Sequence, residues 1–99
     1  MTIHCTKDHE TVTLAPVGRL DTASAPALEK EIDAAVAGGA RQLILDMREL
    51  AYTSSAGLRV ILRAQKQMTP LGGMKVTHVS DDVMEIFDIT GFLDILTIE

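Results

Sequence analysis

Aromatic side chains are scarce, at 3% of the 99 residues, although hydrophobic residues make up 46%. A core built from this chain must therefore be aliphatic and rich in methionine. There is a single cysteine, Cys5, so no internal disulfide can form, and no CxxC pair offers a zinc site. Long apolar runs are lacking too, and none approaches the roughly 20 residues that span a bilayer. Basic charge is in deficit, with 9 Lys and Arg against 14 Asp and Glu and a net charge of −5. Nucleic-acid binding rests on clustered cations at phosphates, and stacking aromatics for single strands are absent as well, so nucleic acid is not expected as a partner. Met1-Thr2-Ile3-His4-Cys5-Thr6 has neither the charged start nor the apolar stretch of a signal peptide. A cytoplasmic location without membrane insertion is the expectation.

What is present suits one folded domain over residues 1–99. Ile3 to Thr6 and Thr11 to Val17 read as a hairpin, the second strand alternating Val12 and Leu14 with threonines. Ser24 is a candidate helix cap, and Pro26 sits near the helix start, where its missing N–H costs little. Leu28, Ile32, Ala35 and Val36 share a helical face that Gly38-Gly39 ends. Arg41 to Met47 reads as a central strand, and a second helix runs from about Ala56 to Met68. Met74, Val76 and His78 suggest a fourth strand. Ser80-Asp81-Asp82 opens a third helix with apolar Val83, Ile86 and Phe87, and Leu93 to Ile98 reads as a final strand. The order β-β-α-β-α-β-α-β predicts an α/β fold: a mixed sheet of about five strands, with three or more helices mainly on one face and right-handed parallel connections.

Between the central strand and the second helix lie three consecutive hydroxyls, Thr53-Ser54-Ser55, followed by Ala56-Gly57. Such a turn sets hydroxyls beside the unpaired N–H groups and positive dipole of a helix tip, a favourable place for an anion. Capping accounts for one hydroxyl and leaves two unexplained. No Glu or Gln follows at the spacing of a capping box.

Other chemistries find less support. A serine nucleophile needs a base in reach; the G-x-S-x-G elbow is absent, with Thr53 at its first glycine position, and the histidines are only His4, His9 and His78. His4 and His9 have poor spacing for a metal, so no metal site and no cofactor are expected. Gly72-Gly73 precedes a strand, not a phosphate-binding helix. Arg59, Arg63 and Lys66, at i, i+4 and i+7, form a cationic stripe on the second helix. It reads either as a solvated face or as a docking surface for an acidic partner. Arg59 is also four residues beyond Ser55, within reach of a phosphate there.

Four segments together resemble the STAS domain, most closely the free-standing bacterial anti-sigma factor antagonists. They are Gly18-Arg19-Leu20-Asp21, Leu43-Ile44-Leu45-Asp46-Met47, Leu50 with Tyr52-Thr53-Ser54-Ser55-Ala56-Gly57-Leu58, and Ile86-Phe87-Asp88-Ile89-Thr90-Gly91-Phe92. The resemblance implies a STAS-like sheet and a phosphorylated serine at Ser55, with Asp21 close to it. Thr22, Thr53, Ser54, Ala56 and Gly57 would form the surroundings of that serine. The best-known sporulation members carry aspartate immediately before the acceptor where this chain has Ser54, which makes Ser54 the second candidate. The implied partners are an anti-sigma factor that is also a serine kinase and supplies the ATP, and a phosphatase acting on the phosphoserine. A monomer or weak dimer is expected, and no enzyme activity. The alternatives are a STAS subunit docking on the ATPase of an ABC-type lipid transporter and, from a different class, a serine hydrolase.

Overall fold

The computed structural model describes Met1–Glu99. The elements are β1 (Thr2–Asp8), β2 (Thr11–Leu20), α1 (Ala25–Ala37), β3 (Gln42–Asp46), β4 (Leu50–Thr53), α2 (Ser55–Met68), β5 (Met74–Thr77), α3 (Asp81–Ile89) and a 3₁₀ turn (Phe92–Asp94). Five strands form a mixed sheet in the order β1-β2-β3-β5, with β4 beside β2. β1 and β2 form an antiparallel hairpin, whereas β2–β3, β2–β4 and β3–β5 are parallel.

Strand β2 organises the rest. Its first half pairs with β3 at Thr11 to Leu14, and its end pairs with β4 at Gly18 to Leu20. The register shifts between Gly18 and Arg19. Gly18 takes φ +97, which its lack of a Cβ permits, and its N–H donates to the Glu49 carbonyl at 2.9 Å. The kink carries the end of β2 away from β3 and onto β4, which leads into α2.

Val12, Leu14 and Pro16 of β2 are buried, while Thr11, Thr13, Ala15 and Val17 on the other face are half-buried. The buried face meets Leu28, Ile32 and Ala35 of α1, Leu58, Ile61, Ala64 and Met68 of α2, and Val83 and Phe87 of α3. One core of 22 residues results, with Phe87 its only aromatic and Met47, Met68 and Met74 filling space. No helix is long and apolar enough to cross a membrane.

Three expectations are corrected. Leu93 to Ile98 is not a strand. Gly91 at φ +79 ends α3, Phe92 stacks on Phe87 with ring centroids 6.2 Å apart, and the chain turns through the 3₁₀ segment. Only a single parallel bridge, Val76 to Ile98, follows. Leu50–Thr53, which the sequence pattern assigns to no strand, is instead β4, held by parallel pairing to β2. Four residues are too few for periodicity to reveal them. His78 lies beyond β5 with φ +55 and does not continue its alternation.

Candidate functional site

The parallel ends of β2 and β4 set up the site. Leu20 pairs with Thr53, and the Ser54 N–H donates to the Leu20 carbonyl at 2.8 Å. The residues leaving the two strands, Asp21 and Ser54-Ser55, therefore emerge beside one another. Each leads into a helix start, α1 after Asp21 and α2 at Ser55.

Asp21 begins α1 by wrapping its own chain. Its Oδ1 accepts the N–H of Ala23 and of Ser24, both at 3.0 Å, and lies 3.1 Å from the Ser24 hydroxyl. These donors favour the charged form. The Ser24 N–H is foremost, then the Ser24 hydroxyl, and together with Ala23 and Arg19 they outweigh desolvation and hold the carboxyl below the usual carboxylate range. Ser24 does not act as the expected cap. Its Oγ accepts from the Asp21 N–H at 2.9 Å and donates to the Arg19 carbonyl at 2.8 Å, which pins the loop rather than the helix.

The three hydroxyls take three environments. Thr53 is 2% exposed, its hydroxyl donating to the Ser54 carbonyl at 3.2 Å. Ser54 is the N-cap residue of α2, with φ −91 and ψ 178, and its carbonyl accepts the first helical N–H, from Leu58, at 3.0 Å. Its side chain makes no capping bond, and its Oγ is buried without a partner. Ser55 alone is exposed. Capping by a side chain, which could have explained one of the three, is not made by any of them.

Gly57 explains why the turn is so tight. A Cβ there would lie 2.7 and 2.8 Å from Cγ and Cδ2 of Leu20 and would overlap the Thr53 hydroxyl. The first turn of α2 therefore rests directly on the ends of β2 and β4. Ala56 lies half-buried beside it.

The cationic stripe divides. Arg63 bridges Glu29 at 3.0 Å and Asp33 at 3.2 Å, tying α2 to α1. Arg59 and Lys66 are exposed and make no ion pair. Arg59 lines a cleft of about 220 Å³ between the first turns of α1 and α2, floored by Ala25, Pro26, Ala56 and Val60, with Thr22 and Glu29 also on its wall. One contact was not foreseen: the Arg19 guanidinium stacks over the Tyr52 ring, 4.3 Å from its centroid. The two residues are register partners across β2 and β4, a pairing no sequence spacing reveals.

The histidines are engaged elsewhere or exposed. His9 lies 2.7 Å from Asp8, and His78 contacts Asp46 and Arg48, while His4 sits on exposed β1. No group of three His, Cys, Asp or Glu side chains is arranged to hold a metal ion.

Against known families, the STAS domain profile matches residues 2–99. The chain is a STAS domain. Its sequence is 40% identical over 82 residues to BtrV of Bordetella bronchiseptica, provisionally named an anti-sigma factor antagonist, covering 82% of this chain and 71% of BtrV. It is 33% identical over 82 residues to the anti-sigma-B factor antagonist of Bacillus subtilis, covering 82% of this STAS domain and 74% of that protein. The fold also matches the Bacillus cell fate determinant SpoIIAA in its phosphorylated form, with TM-score 0.77 and 19% identity, over 99% of this chain and 91% of that one.

Proposed function

We propose that this STAS domain is an anti-sigma factor antagonist that frees a sigma factor by docking on its anti-sigma factor, and that phosphorylation of Ser55 switches the docking off. The observation that carries this reading is the exposure of Ser55 at the tip of α2, while Thr53 is buried and the Ser54 oxygen is enclosed. A kinase can reach the first of these and not the others without opening the turn. The relatives named as anti-sigma factor antagonists support the partner class.

The chemistry falls to the partner, which binds ATP and acts as both anti-sigma factor and serine kinase. The Ser55 oxygen attacks the γ-phosphorus, the bond to ADP breaks, and the serine proton leaves to a base of the kinase. Here the domain's own residues only present the hydroxyl. The new group carries about −1.5 to −2 charge at pH 7. Within the domain the positive end of α2 receives it, so the fold is preserved.

At an interface the same charge is harmful. Asp21, held ionised beside the turn, adds like charge to that of the phosphate. Burying a poorly paired charge costs several kcal/mol, and each ~1.4 kcal/mol is tenfold in affinity. A phosphatase restores the docking form. The test is incubation of the purified domain with candidate anti-sigma kinases and ATP, followed by mass mapping. Phosphate on Ser55 is the expected result. Phosphate on Ser54 or Thr53, or none with any kinase that binds the domain, refutes the assignment.

A further inference from the structure

The negative charge is concentrated at one end of the chain. Residues 1–75 carry nine Lys and Arg and eight acids, whereas residues 76–99 carry six acids and neither Lys nor Arg. Glu99 is paired with Lys75 at 2.9 Å. Asp81, Asp82, Glu85, Asp88 and Asp94 are exposed and make no ion pair.

Four of these five lie on α3, which fully buries only Val83 and Phe87. Asp81, Glu85 and Ile89 follow at i, i+4 and i+8 on its outer face, flanked by Asp82 and Asp88. The stripe ends in an apolar patch. Ile89 is 77% exposed, and Leu93 and Ile95, in the turn that follows, are 40% and 47% exposed. Three of the chain's five exposed large hydrophobic side chains thus fall within seven residues. The internal needs of the helix explain Asp81 and Asp82, which suit its positive end and sit behind the Ser80 cap. They do not explain Asp88, which opposes the dipole near the C-terminus, or a nearly bare isoleucine.

We propose that this outer face of α3 docks a basic amphipathic helix of a partner protein, its apolar side chains covering Ile89, Leu93 and Ile95 and its Lys or Arg lying along the carboxylate stripe. Charge decides the occupant. A second copy meeting face to face would set five unpaired carboxylates against five, and an anionic surface would be repelled. The stripe from Asp81 to Ile89 is about 12 Å long, which matches roughly two turns of a partner helix. The proposal does not depend on Ser55, which lies on a different element.

The test is an NMR titration of the full chain with a synthetic helical peptide of roughly 14 residues, Leu on one face and Lys on the other. Two control peptides replace Lys with Glu, or Leu with Ser. The expected result is shifts confined to residues 81–95, with about tenfold weaker binding for Ile89→Ser and for Glu85→Lys with Asp88→Lys, in variants whose melting is unchanged. Shifts spread over the surface, or equal binding of either control peptide, would overturn the proposal. Concentration-dependent shifts at residues 81–95 without peptide would also overturn it and assign the face to a second copy.

Discussion

The Leu20 carbonyl accepts the Ser54 N–H at 2.8 Å, one residue past the last pairing of β2 with β4. That hydrogen bond brings Asp21 and Ser55, 34 positions apart in the chain, to the same edge of the sheet. It sets a charged carboxylate and an exposed hydroxyl at neighbouring strand ends.

Replacing Ser55 separates binding from folding. Ser55→Asp puts a carboxylate at a helix N-terminus, which favours it by about 0.3–1 kcal/mol, so chemical denaturation should show no loss of stability. Its affinity for the anti-sigma partner should fall by about tenfold or more. Ser55→Ala should bind regardless of ATP. Calorimetry with the partner checks both, and undiminished binding by Ser55→Asp would contradict the switch.

Gly57→Ala tests the close approach beneath the site. Alanine gains up to ~1 kcal/mol in helix propensity, but the added carbon would lie 2.7 Å from Leu20 Cγ. Overpacking costs about 1–3 kcal/mol, so the variant should be destabilised. A urea midpoint at or above that of the parent protein would show that α2 rests less tightly on the strands than these distances imply.

Asp21 links stability to pH. Its folded-state carboxyl titrates below the usual range because the Ser24 N–H and hydroxyl favour the charge. Its contribution is fully present above the unfolded value of about 4. It is lost as pH falls through the lower folded value. Asp21→Asn keeps an acceptor for the Ala23 and Ser24 N–H groups but removes the charge. Its urea midpoint should therefore decline less steeply than that of the parent below about pH 4. Parallel declines would show that Asp21 does not contribute.

The two arginines of α2 should behave differently. Arg63→Ala breaks two half-exposed ion pairs to α1 and should cost at most ~1 kcal/mol of stability. Arg59→Ala breaks none and should leave stability unchanged. If Arg59 meets an acidic partner surface, Arg59→Glu should slow association, most visibly at low salt. An association rate unaffected by that reversal would remove Arg59 from the interface.

Much of this protein was determined locally, by residue pattern. Val12 and Leu14 alternating with threonines, Leu28 and Ile32 on one helical face, and the Ser80 cap followed by Asp81 and Asp82 all act over a few residues. Side-chain periodicity and capping therefore reveal them without a structure. The hydroxyl run before Ala56-Gly57 was legible for the same reason. The structure decided what depends on distant segments meeting. Four residues became β4 because Gly18 lets β2 kink onto them. Arg63 was claimed by Glu29 and Asp33 of α1, and Phe92 stacked on Phe87 in place of a last strand. Which of three neighbouring hydroxyls faces solvent was also a tertiary matter. Residue type makes Thr53, Ser54 and Ser55 chemically alike, and only tertiary packing encloses the first, buries the oxygen of the second and leaves the third exposed.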